Sequence, residues 1–408
     1  METSKPSIWN QIKDILVSDI YYLLVILGYI GTLFMTGFRP GVFASVLLAA
    51  VFVQLLLYKR IVLNKTMDYL VVAYFAYNLL SVIWLLKGGF PLSVFMQEFS
   101  NSILPIVFYF AGKSAKEKIN RYYRLFMIGL LVLFVTGLVL YIAAPQFYLD
   151  YLVRWSLISK ADVPTMRIRM HAVVGCTLLG SLSVVGMLVS ARIMILEQKI
   201  LSGGSLFVIS MAFAFFSNQR SAMVVALLVL LYINYLVFFS LKLFDRKYFY
   251  IECIVIAVVF VLLLVGFHGV FMKIFYRLVS LPGAVSQRSE QWVAAVNNMY
   301  SSFLGNGLGA NGHKALGIEG AHVIADGGLV KLFCEEGILG FSIFIYMMIL
   351  LYKDSRQYIK EGFAELGVIA IILLQSVGSN ILCFQLGAPI FWFAVGRCAY
   401  LLYESKKE

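Results

Sequence analysis

The chain has 408 residues, 61% of them hydrophobic and only 13% charged, with a formal net charge of +12. Soluble domains carry roughly 25% charged residues, so the composition excludes an ordinary soluble enzyme and points to an all-α, polytopic membrane protein. Nucleic acid is not the expected partner of the basic excess, because the lysines and arginines sit in short loops between apolar runs, as the positive-inside rule requires.

A bilayer core of about 30 Å needs about 20 apolar residues per helix. On that ruler the chain divides into spans near 20–37, 41–58, 67–86, 94–112, 124–144, 171–191, 201–217, 221–241, 248–267, 327–352, 364–382 and 384–403, about twelve in all. They form one integral membrane domain with no room for a separate soluble one. Residues 1–19 lack a small-residue cleavage site before the first apolar run, which predicts no removable signal peptide and a cytoplasmic N-terminal segment. Lys59, Arg60 and Lys65 follow the second span, Arg192 and Lys199 the sixth, and Lys353, Arg356 and Lys360 the tenth. These fall on one side if both termini are cytoplasmic. The five cysteines (Cys176, Cys253, Cys334, Cys383, Cys398) lie in or beside apolar segments and read as small core residues, neither a disulfide framework nor a metal site.

This topology predicts three outer segments: 145–170, a tight turn around Ser217–Arg220, and a large loop, 268–326, carrying short helices. Against the positive-inside rule they contain Arg154, Lys160, Arg167, Arg169, Arg220, Lys273, Arg277, Arg288 and Lys314. All four histidines, His171, His268, His313 and His322, lie on or at the edge of the same face. Single outer arginines can pair with Asp150, Asp162, Glu290 or Glu319. Arginines drawn from three separate segments point instead to a shared anionic ligand, since the planar guanidinium donates two parallel hydrogen bonds to a phosphate. Arg220 is the sharpest case: the turn SNQR is so short that its charge must lie near the bilayer boundary, where it needs a wet cavity or a partner.

The stretch from Arg288 to Phe341 is the longest polar interruption of the chain. An amphipathic segment with Trp292 and Tyr300 leads to the glycine run LGNGLGANG at 304–312, then to His313, His322 and Asp326 and a closing apolar helix. Without a βαβ unit around it the run is no dinucleotide site; glycines there read as a flexible turn in a mobile loop. Asp326 is both an N-cap candidate for the closing helix and a candidate base. Val330, Phe333 and Gly337 share its helical face. Glu335, Glu336 and Glu98 lie inside apolar segments and require a polar cavity or a partner. Trp292 and Tyr300 read as interfacial anchors, with stacking on a sugar ring as the alternative.

In their order, five motifs resemble the O-antigen polymerase and ligase superfamily. They are MRIRMH at 166–171, FSNQRSAMVVALL beginning at Phe216, QRSEQW at 287–292, the glycine run, and DGGLVKLFCEEGILGF at 326–341. The likeness spans roughly residues 160–345 and the overall topology. It implies a polysaccharide polymerase in the bacterial cytoplasmic membrane, with its active site on the outer face. Such an enzyme moves a glycan from an undecaprenyl diphosphate carrier onto the next lipid-linked repeat unit of an O-antigen, capsule or exopolysaccharide. The partners implied are undecaprenyl-diphosphate-linked glycans and membrane lipid, with a chain-length regulator left open; neither a cofactor nor a metal is implied.

The resemblance assigns Arg167, Arg169, Arg220 and Arg288 to the diphosphate and Asp326 or His322 to the base. His171, Trp292 and Glu336 would line the substrate cavity. One departure bears on the acceptor. Where the ligases begin the closing helix with a His-Asn pair, this chain has Asp326 and Gly327, which favours polymerase over ligase. A transporter is the rival outside enzymes, and it should show internal repeats and paired broken helices.

Overall fold

A computed structural model describes residues 40–57, 59–115, 118–155, 158–167, 169–243, 245–266, 281–384 and 386–406, together with positions 269, 272, 275, 276 and 279. The expected first span at 20–37, the segment 1–19, and His268, Lys273 and Arg277 lie outside the described residues. Those residues contain no strand and run through sixteen α-helices. These are α1 Pro40–Leu57, α2 Thr66–Leu80, α3 Val82–Lys87, α4 Leu92–Glu98, α5 Val107–Ser114, α6 Ile119–Ala143, α7 Pro145–Arg154 and α8 Val163–Met166. There follow α9 Cys176–Leu196, α10 Ile200–Phe216, α11 Arg220–Asn234, α12 Arg246–Gly266, α13 Leu281–Asn297, α14 Gly328–Lys353, α15 Ile359–Gln375 and α16 Gly387–Glu404.

Among the described residues five helical stretches are long and apolar enough to cross a membrane: Thr66–Lys87, Ile119–Ala143, Cys176–Leu196, Arg220–Ser240 and Gly328–Lys353. The protein is an all-helical membrane protein. The last two expected spans coincide only in part with α15 and α16, which carry the buried charges Glu365 and Arg397 in their apolar runs.

α9 is the axis of the fold. Its most apolar window is 89% buried, against 33% for Thr66–Lys87, and α6, α10, α11, α15 and α16 all pack on it. A polar helix interior would be costly there, so Ser183 and Ser190 turn their hydroxyls back onto the carbonyls of Leu179 and Gly186, each at 2.7 Å. Beyond α9, α5 packs on α16 and α2 on α14.

Expected continuous spans are interrupted at several places. The span at 94–112 passes from α4 through a π-helical segment, Phe99–Ile103, and a 3-10 turn, Leu104–Ile106, into α5. Pro105 lacks an N–H and cannot continue regular bonding. The span at 364–382 stops at Gln375, where a turn, 376–380, with buried Ser376, Ser379 and Asn380 replaces its last residues.

The ends of α9 carry different charges. Near its C-terminal end Glu365 lies between Arg192 (3.8 Å) and Arg397 (3.9 Å) and accepts the Tyr123 hydroxyl at 2.7 Å. At its N-terminal end Cys176 meets Arg169, His171 and Gln219, the last of these next to Arg220 in the chain.

Candidate functional site

α14 is two helices joined at Gly337, whose φ of 63° and ψ of −172° lie outside the range of L side chains. A break inside an apolar helix leaves carbonyls and N–H groups without partners, and the glycine run supplies them. Asn306 N–H donates to Cys334 O at 2.8 Å and Gly307 N–H to Glu335 O at 3.0 Å. Across the break, Ile338 N–H donates to Ser302 O at 2.9 Å and Leu339 N–H to Phe303 O at 3.1 Å. The Tyr77 hydroxyl closes the gap, donating to Glu336 O at 2.6 Å. Residues 305–312 are buried throughout. The expectation of a flexible turn in a mobile loop is therefore corrected: the run is inserted backbone, and its glycines permit positive φ and close approach to α3 and α4.

Behind this insert lies a buried charge cluster. Lys331 Nζ donates to Glu98 Oε1 at 2.5 Å, lies 3.3 Å from Glu335 Oε2, and is 3.2 Å from Cys383 Sγ. Glu335 Oε1 accepts the Asn311 N–H at 3.1 Å, and Glu336 Oε1 accepts the Tyr74 hydroxyl at 2.5 Å. Glu98, Glu335 and Glu336 thus have the polar surroundings their positions required. Lys331, which holds two of them, escaped the sequence reading although its i,i+4 spacing to Glu335 was visible. The cavity these groups line with Trp392 measures about 20 Å³, room for about one water and not for a sugar.

The Asp326 turn forms the other half of the site. Asp326 does not cap α14; that position belongs to Gly327, at φ 133°. The first N–H groups of the helix, those of Gly328 and Leu329, donate to Ser379 O (3.1 Å) and Ser376 O (3.0 Å) of the 376–380 turn. Asn380 clasps the approach, its Nδ2 donating to Ile324 O at 2.9 Å and Ala325 O at 3.1 Å. The Asp326 carboxylate is left to pair with Arg288, 2.6 Å from Nη2. Trp292 Nε1–H donates to Asp326 O at 2.7 Å, and its indole covers Gly327.

Three of the four expected arginines lie within electrostatic reach of one another around Arg220. The charges of Arg288 and Arg169 both act on Arg220, the first residue of α11. Arg169 and Arg220 each keep a buried Nε–H with no partner among the described residues. Arg167 is exposed, and its charge falls on Tyr141. His171 is buried; its Nδ1 accepts the Cys176 N–H at 3.2 Å at the start of α9. His322 is half-buried, and its carbonyl accepts from Asn311 Nδ2 at 2.7 Å. His313 and Lys314 are exposed. Among the described residues no three His, Cys, Asp or Glu side chains assemble as a metal site.

No family model matches the chain, and no curated protein matches it.

Proposed function

We propose that the chain is a membrane glycosyltransferase that polymerises lipid-diphosphate-linked glycan units. The observation that carries this reading is the convergence of Arg169, Arg220 and Arg288 from three separate segments, two of them with unpartnered N–H donors. Clustered cations repel one another, so they are stable together only beside an anion. Asp326 supplies one negative charge; a diphosphate supplies the rest. In this proposal about twelve spans cross the bacterial cytoplasmic membrane, with both termini inside and the arginines at the outer face.

The reaction needs no separate activation, because the donor carries its leaving group. The acceptor hydroxyl oxygen attacks the sugar carbon that bears the diphosphate, and the carbon–oxygen bond to the diphosphate breaks. The three guanidinium groups stabilise the charge that gathers on the departing lipid diphosphate. The hydroxyl proton passes to Asp326: when Arg288 turns to a phosphate it releases the carboxylate, which then acts as base. Trp292 fixes the backbone of that turn.

The break in α14 favours a second reading, a transporter, because discontinuous helices with buried charges recur at transport sites. A ligase would use the same donor with a different acceptor. Complementation of a polymerase-deficient strain separates the three. Restored ladders of lipid-linked glycan that collapse to single units in Arg220→Ala and Arg288→Ala support the polymerase. Single units transferred to a lipid core identify a ligase, and units trapped on the inner leaflet of cells lacking the protein identify a transporter.

A further inference from the structure

The Glu336 carboxyl presents a problem in hydrogen-bond accounting that is independent of the arginine site. Glu336 is 1% exposed, Asn78 is fully buried, and Tyr74 is 2% exposed. Tyr74 donates its hydroxyl to Oε1. Oε2 has no partner among the described residues, and neither does Asn78 Oδ1, although the Asn78 side chain lies within reach of the same carboxyl. Two buried acceptors, on side chains that reach each other, therefore each lack a hydrogen-bond donor among the described residues. Such a pair is costly in an apolar interior.

The neighbouring groups do not resolve it. Lys331 is engaged by Glu98 and Glu335. The Tyr77 hydroxyl is engaged by Glu336 O and by Leu304 O at 2.9 Å. Cys383 lies against Lys331. The cluster thus sets three carboxyl groups against one ammonium. Turning the Asn78 amide over would give Oε2 a donor, but it would bring Oδ1 to the place of Nδ2, 3.1 Å from Tyr74 O, an acceptor facing an acceptor.

One hydrogen satisfies both orphan oxygens. We propose that Glu336, Tyr74 and Asn78 form a proton-binding site in which Glu336 is held as the neutral acid, its Oε2–H donating to Asn78 Oδ1 while Oε1 accepts from Tyr74. The proton removes one negative charge beside Glu335, at the break in α14. The site stands whatever the chain transfers or carries.

Infrared spectra of the full-length protein in lipid vesicles test it directly. At neutral pH the wild type should show the C=O stretch of a protonated carboxylic acid, shifting in D₂O. Glu336→Gln should lose the band and Glu335→Gln should keep it. Tyr74→Phe should keep it but move it, because Oε1 loses its donor; if Glu336→Gln does not fold, this variant alone decides. A wild type without the band, a band that survives Glu336→Gln, or one unmoved by Tyr74→Phe overturns the proposal. So does a band that Na⁺ replaces with a carboxylate stretch, which would mark a metal-cation site instead.

Discussion

Arg288 and Asp326 are 38 residues apart in sequence and joined by a 2.6 Å ion pair, with side chains 30% and 39% exposed. A pair this accessible holds little folding energy, about 0–1 kcal/mol, yet it sits where two further arginines converge. Its geometry suits a contact that is exchanged, not a permanent brace. Arg288→Ala and Asp326→Asn should each lower stability by no more than about 1 kcal/mol, measured by thermal unfolding in detergent, while abolishing the glycan ladder. A large loss of stability in both variants would make the pair structural and remove Asp326 from the chemistry.

The arginine cluster should bind a diphosphate without any sugar attached. Inorganic pyrophosphate is expected to raise the unfolding temperature of the wild type. Arg220→Ala should weaken that binding by about ten- to a hundredfold, the equivalent of one charge-assisted hydrogen bond. Arg167→Ala, whose side chain is exposed and apart, should leave it unchanged. Equal effects of the two substitutions would mean a diffuse field and not a site.

Lys331 should be the most sensitive charge in the protein. Lys331→Met leaves Glu98 and Glu335 buried and unpaired, at a cost of about 3–5 kcal/mol. Adding Glu98→Gln and Glu335→Gln should restore much of the loss. The check is the fraction of folded protein recovered from membranes, followed by size-exclusion chromatography. Failure of the triple variant to improve on Lys331→Met would mean that packing, not charge balance, governs the cluster.

Gly337→Ala tests the break in α14. A residue with a Cβ at φ 63° is strained by about 1–3 kcal/mol, and here the added carbon would also meet Phe303 O at 2.5 Å. Unfolding temperature should fall by more than for Gly204→Ala, where a Cβ meets nothing within 4 Å. Similar behaviour of the two variants would contradict the inserted glycine run.

The sequence alone determined that this is an all-helical membrane protein, because hydropathy is summed over local stretches and needs no knowledge of neighbours. It also marked Arg169, Arg220, Arg288 and the three glutamates as residues in need of partners, since a charge in or beside an apolar run must be explained wherever it occurs. Which partners they take was decided by the tertiary structure. Asp326 looked like a helix cap, but the carbonyls of Ser376 and Ser379 accept the first N–H groups of α14 and leave the carboxylate to Arg288. His171, expected to line the substrate cavity, is buried with its Nδ1 on the first N–H of α9. The glycine run looked like a flexible turn in a mobile loop, and only the break at Gly337 reveals it as the backbone that completes another helix. Hydrogen bonds between segments some 30 residues apart have no periodicity to report them, so local pattern could name the residues and not their pairing.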